Sequence, residues 1–341
     1  MVKIIGGPFG IESQIVEDED NAWFVENSIG FINGRSALTF ACVVLDPDKI
    51  WLPSYCPDFL ISCFPKNKLK FYEIGKDFRV KDYKWMAGLT QNDVVVTIDY
   101  FGFPFDEECA KIIREMEVCI IEDACQALMS SFIGKNSDII VLSPRKFFGI
   151  PDGGLLVCGQ YGRFLDIEPK LNEWVRCQTD LQVLRKDFDD KNICLDYNDI
   201  KRISELNEDN VPLDFCRMSD VSKLILYAGV DYRNAINQRR VNFKLLLEEL
   251  WDIALFKDQP ETVTPYGFPV LVENRDRVKR FLLRNNIDTE IHWKMNKVPK
   301  KYKENHDVSK RILTLPCDQR YTEIDMYQIS ETLKLILREL K

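Results

Sequence analysis

Between residues 34 and 160 the chain alternates short apolar runs with longer stretches of mixed character. The runs at 49–52, 69–72, 94–98, 118–121, 138–142 and 155–158 are rich in Val and Ile and lack the polar–apolar alternation of a half-solvated strand. Strands apolar on both faces predict a mainly parallel sheet covered by helices on each side. Beyond 160 the pattern changes. Residues 160–235 read as helical and charged, and 237–250 has amphipathic helical spacing. A strand-like 268–272, a helix at 275–285, a short segment at 289–293 and a final helix from Thr322 follow. The expectation is an α/β fold with a large domain over 1–215 and a smaller α+β C-terminal domain over 216–341. There is no internal repeat and no low-complexity tract.

Polar residues fall just past three of the runs: Asp99, Asp123, and Ser143 with Lys146. Open α/β sheets bind ligands beyond the carboxyl ends of their strands, so these groups should surround one crevice. The plainer reading is that polar residues simply begin loops.

Composition narrows the classes. The 341 residues, 45% hydrophobic and 29% charged, suffice for two sizeable cores. A net charge of -8 and a pI near 5.1 argue against non-specific binding to nucleic acid or anionic membranes. Eleven scattered cysteines without a C-x-x-C pair fit reduced thiols better than a disulfide framework or zinc site. His292 and His306 are the only histidines, which excludes a multi-histidine metal centre; no metal is expected. Residues 1–10 lack a basic stretch followed by an apolar core, and no apolar run approaches the roughly 20 residues of a membrane span. A cytoplasmic protein is expected.

Three segments carry chemistry. In 138–158, Lys146 follows an apolar strand and precedes Gly149 and Asp152-Gly153-Gly154. A lysine at a sheet edge that loses solvation can attack an aldehyde and form a Schiff base; the alternative is a solvated loop lysine. In 118–130 an acidic pair closes a strand and opens a helix. Asp123 beneath a pyridine nitrogen would keep it protonated, or it is a helix cap, with Glu122 a side-pointing neighbour. In 31–45, Gly34, Arg35 and Ser36 open an apolar helix whose N-terminus suits a phosphate, or the helix is merely capped.

In this order the segments resemble the DegT/StrS sugar aminotransferases, within the fold-type I enzymes that use pyridoxal 5′-phosphate (PLP). The resemblance covers about residues 30–340. It rests on Gly34-Arg35-Ser36-Ala37-Leu38, Pro53-Ser54-Tyr55, Phe101-Gly102-Phe103-Pro104-Phe105-Asp106, Glu122-Asp123-Ala124-Cys125-Gln126-Ala127, Lys146 and Asp152-Gly153-Gly154. Arg217-Met218-Ser219, Arg239-Arg240, Ile291-His292-Trp293 and Leu315-Pro316 continue it. It implies that Lys146 carries PLP and moves protons in catalysis, that Asp123 pairs with the ring nitrogen and that Gln126 meets the ring hydroxyl. Gly34, Arg35, Ser36 and Ser143 would hold the phosphate, Tyr55 would cover the ring, and His292 would bind substrate. The implied reaction moves an amino group from glutamate or glutamine to a small-molecule keto acceptor, a nucleotide-linked keto-sugar, in a homodimer whose residues 215–220 approach the partner's cofactor.

Several positions depart from the family pattern. Val141 stands where a phosphate-binding serine is usual, Asp99 where many relatives have His, and Phe215 at the asparagine that reaches the partner's cofactor. No proline follows Trp293 in the usual place. These departures keep two alternatives open: a PLP enzyme for a non-sugar amine or keto acid, and a non-catalytic PLP-fold protein. The family's dehydratase branch has histidine in place of the lysine, so Lys146 speaks against it.

Overall fold

The computed structural model describes residues 3–13, 28–158 and 172–340. Its centre is a seven-stranded sheet in the order β1-β7-β6-β5-β4-β2-β3. The strands are β1 (Ser28–Phe31), β2 (Ile50–Pro53), β3 (Leu69–Tyr72), β4 (Val94–Ile98), β5 (Cys119–Asp123), β6 (Ile139–Leu142) and β7 (Gly154–Cys158). Strands β2 to β6 are parallel; β7 runs antiparallel to β6, and β1 antiparallel to β7. All five residues of β4 are buried, as a strand covered on both faces requires. Helices α1 (Gly34–Leu45), α2 (Asp58–Ser62) and α3 (Glu107–Glu115) connect the strands.

Each apolar run forms a strand within one or two residues of its expected bounds. The 118–121 run differs in one useful way: β5 extends through Glu122 and Asp123, and a series of turns follows in place of the expected helix. Strand β1 is new. It is an edge strand whose register, Phe31↔Gly154, is set by β7 rather than by its own composition.

Of the charged helical stretch, 160–171 lies outside the described residues. The remainder forms α4 (Glu173–Asp189), α5 (Tyr197–Asp209), α6 (Asp220–Ala228) and the start of α7 (Tyr232–Leu250). Beyond it, β8 (Phe268–Leu271) pairs antiparallel with β9 (Ile312–Leu315). Helices α8 (Arg275–Arg284), α9 (Lys303–Arg311) and α10 (Glu323–Glu339) complete this small α+β unit. Helix α10 packs along α7 and α8, and a Thr322–Asp325 capping box starts it. The short 289–293 segment contributes only a bridge between Glu290 and Thr314. No helix among the described residues is long and apolar enough to cross a membrane.

Candidate active site

Because β4, β5 and β6 are parallel, their carboxyl ends meet along one edge. Ile98, Asp123 and Val141 are cross-strand neighbours in a single row and line a cavity of about 480 Å³. Asp123 closes β5, half-buried, and one carboxylate oxygen accepts the Cys125 N–H at 3.1 Å. With no helix behind it, its capping is confined to that local turn. Pro144 opens the 3₁₀ turn Pro144–Lys146 after β6, and that turn brings Lys146 to the cavity. The Lys146 amine makes no hydrogen bond or ion pair to any described residue. Gln126 is buried in the same wall: its Oε1 accepts the Phe101 N–H at 3.0 Å, while its Nε2 has no partner among the described residues. Burying an amide donor without a partner costs about 1–3 kcal/mol.

The expected phosphate turn follows β1. A Cβ at Gly154 would lie 2.0 Å from the backbone carbon and oxygen of Asn33, so only glycine lets β7 pass this turn. Asn33 caps α1, its Oδ1 accepting the Ser36 N–H and its Nδ2 donating to the Pro212 carbonyl, both at 2.9 Å. Gly34, Arg35 and Ser143 line the cavity. Ser36 does not: its hydroxyl is buried and turned to the Pro212 carbonyl at 3.5 Å. Asp152 of the D-G-G motif is tied to the Arg217-Met218-Ser219 segment, accepting from the Ser219 amide at 2.8 Å and its hydroxyl at 2.6 Å.

Tyr55 also stands apart from the cavity. Its hydroxyl donates to the His292 carbonyl at 2.5 Å, and its ring packs in a buried cluster with Phe78, Tyr100 and Trp293. Pro57 and Phe59 line the cavity where the sequence puts an aromatic cover at Tyr55. His292 does reach the cavity, held between Thr314 Oγ1 at 2.9 Å and Glu290 at 3.0 Å. Glu290 keeps about half of its side chain exposed, and hydrogen bonds from His292 and from Tyr266, at 3.0 Å, hold its pKa at about 2.

Two parts of the wall were not anticipated. Arg145, the residue before Lys146, grips Glu208 of α5 with both terminal guanidinium nitrogens, at 2.7 and 3.1 Å. Gly6, Gly7, Pro8 and Phe9 form a further side. Arg185 holds the Gly6 carbonyl at 3.0 Å, and Arg320 holds those of Pro8 and Gly7 at 3.0 and 3.1 Å. An arginine beside the proposed Schiff-base lysine was open to inspection in the sequence; its partner 63 residues away was not.

Behind the sheet lies a second feature. Thr97 and Glu122 are register partners on the face opposite Ile98 and Asp123, and Asp99 joins them. One Asp99 oxygen accepts the Phe105 N–H at 3.0 Å; the other has no donor among the described residues and faces Glu122. Burial, reinforced by the Glu122 charge, pushes the Asp99 pKa well above its ordinary value.

A mainly parallel sheet with a cavity at its carboxyl edge, joined to a small antiparallel unit, is a fold shared with several solved aminotransferases. Three solved structures give the measure of the similarity. A DegT/DnrJ/EryC1/StrS aminotransferase from Brucella abortus aligns with a TM-score of 0.64 at 16% identity, covering 95% of this chain and 92% of that one. NtdA from Bacillus subtilis with bound cofactor PMP aligns at 0.65 and 15%, covering 98% and 78%. DesI in the presence of its TDP-sugar product aligns at 0.63 and 16%, covering 94% and 84%. At these identities the likeness is one of fold. No family model and no curated protein matches the sequence.

Proposed function

We propose that this protein is a PLP-dependent aminotransferase that passes an amino group from glutamate or glutamine to a nucleotide-linked keto-sugar. The observation that carries the reading is the convergence of Asp123, Gln126 and Lys146 on one cavity, with the Gln126 amide buried and unpartnered. That donor fits the ring oxygen of PLP, and the Asp123 carboxylate fits the ring nitrogen. Bound there, PLP would supply an aldehyde carbon for the amine and an electron-withdrawing ring.

The chain's own residues do the rest. The Asp123 carboxylate would hold a proton on the ring nitrogen. The Lys146 amine takes a proton from the substrate carbon and returns it on the far side of the transfer, as base and then acid. Gln126 would donate its Nε2 amide to the ring oxygen. His292, oriented by Thr314 and Glu290, faces the substrate. Lys201, Lys279 and Arg320 on the cavity wall are the cations that a nucleotide diphosphate would meet, two of them in exchange for Asp288 and Asp318. The TDP-sugar product of the fold neighbour DesI supports that substrate class.

A two-fold homodimer and a cytoplasmic location belong to the same reading. Phe215, exposed, packs edge-on to Phe40 at 5.4 Å, and exposed Val43 and Val44 lie one turn further along the Phe40 helix, an apolar surface for a partner.

The test is direct. PLP added to the purified protein should produce a visible absorption band that glutamate or glutamine bleaches, and borohydride followed by peptide mapping should find the label on Lys146. A label on another lysine, or no band at all, rejects the assignment. Light scattering at twice the monomer mass checks the dimer.

A further inference from the structure

Helix α5 turns Lys201, Ser204, Glu205 and Glu208 toward the cavity, a helical stripe at three- and four-residue spacing. The two ends of this stripe are tied to opposite walls. Lys201 pairs with Asp288 of the C-terminal unit. Glu208 takes the Arg145 fork at 2.7 and 3.1 Å and lies 4.0 Å from Arg35.

Those two arginines are the cationic groups flanking the Gly34 turn. Arg35 belongs to the turn itself, its guanidinium over the Phe59 ring at 4.3 Å. Arg145 sits in the segment that abuts it, since a Cβ at Gly34 would lie 3.7 Å from that of Ser143. Arg145 is further seated over the Trp174 ring at 5.4 Å, and its Nε is buried without a partner among the described residues. Of the hydroxyls near this turn, only that of Ser143 belongs to a residue that lines the cavity. Val141, in the same wall, offers none, and the Ser36 hydroxyl is turned to Pro212. A carboxylate and a phosphate oppose a guanidinium fork in the same way. Glu208 therefore occupies the place an anion would take.

We propose that Arg145 and Arg35 are the phosphate ligands of this chain, and that Glu208 is an internal competitor that holds both until a phosphate displaces it. The identity of the incoming phosphate as that of PLP rests on the function proposed above; the exchange itself does not. A phosphate carries up to two charges against one on the carboxylate, so it wins the arginines when present at sufficient concentration. Glu208 is about half-exposed on its own, at 45% of its side-chain area, so it can turn to water when displaced.

The experiment titrates cofactor-free protein with inorganic phosphate, with PLP and with pyridoxal. Phosphate binding is followed by calorimetry and by tryptophan fluorescence, with Trp174→Phe identifying the reporter. Glu208→Gln should bind phosphate and PLP about tenfold more tightly, the worth of one charged hydrogen-bonded contact, and pyridoxal unchanged. Arg145→Gln should weaken phosphate and PLP about tenfold or more, again with pyridoxal unchanged. Arg145→Lys, which keeps the charge but not the fork, should fall between. Circular dichroism confirms that each variant is folded.

Unchanged or weaker phosphate binding in Glu208→Gln overturns the competition and leaves Glu208 as a positioning residue for Arg145. An unaltered preference for PLP over pyridoxal in Arg145→Gln removes that arginine from the phosphate site. If neither pyridoxal nor PLP gives a visible band while phosphate still exchanges with Glu208, the cofactor reading fails and the anion exchange stands.

Discussion

Asp99→Asn should make the protein more stable at neutral and alkaline pH, although it removes a charge from a charged protein. The aspartate is 1% exposed, and only one of its oxygens finds a donor. Asparagine has nearly the same shape. Its Oδ1 can keep the Phe105 N–H, and its Nδ2 can donate to Glu122, where the wild type sets oxygen against oxygen. Replacing an unsatisfied buried acceptor with a donor to a carboxylate is worth about 1–3 kcal/mol.

The sign of the pH dependence follows from the direction of the shift. The folded-state pKa of Asp99 lies above the unfolded value of about 3.9. The folded protein therefore binds this proton more tightly, and the stability linked to it is fully present only below the unfolded pKa. As pH rises from there toward the folded pKa, wild type loses stability that the variant never had to lose. The gap widens by at most about 1.4 kcal/mol per pH unit, the slope for one proton. Urea denaturation of both proteins near pH 4 and near pH 8 measures it. A variant that is less stable near pH 8, or a gap that does not change with pH, would refute the reasoning and mean that Asp99 is ionised and satisfied in the folded protein.

Three further outcomes follow from the geometry. Asp123→Asn should retain PLP but slow amino transfer by about 100-fold or more, because the ring nitrogen loses its counter-charge; single-turnover spectroscopy with glutamate checks this, and near-normal turnover would leave Asp123 a turn-capping residue. Gly154→Ala should cost about 2–3 kcal/mol, since its Cβ falls 2.0 Å from the Asn33 backbone, whereas Gly88→Ala, with its nearest contact at 3.4 Å on the Trp51 ring, should change the denaturation midpoint little. Tyr55→Phe should lose about 1 kcal/mol through the missing hydrogen bond to His292 and leave the cofactor spectrum unaltered; a changed spectrum would put Tyr55 back over the ring.

The central sheet was legible because parallel strands covered on both faces leave unbroken apolar runs, as in Val94–Ile98. Asp123 and Lys146 were legible for the same reason, since they stand where those runs stop. Strand β1 was not, because an edge strand of four residues depends on its partner β7 rather than on a pattern of its own. The orientation of Tyr55 was out of reach too: a backbone carbonyl 237 residues away decides it. Ser36 shows the limit of motif reading. It occupies its expected place in the turn, yet the Pro212 carbonyl, 176 residues further on, takes up its hydroxyl.

The cavity's walls come from all along the chain: Gly6–Phe9, Gly34, Asp123, Lys146, Glu208 and His292. No contiguous half of the sequence contains them. Loop closure makes such long-range convergence slow, so the pocket should assemble late as the chain folds. A ligand of that pocket cannot template early folding. It can only lock the finished state, adding stability that grows with the logarithm of its concentration. Bound PLP would then act as a gauge of global integrity. Any substitution that loosens a distant wall, even the arginine grip on residues 6–8, should release cofactor before it unfolds the sheet.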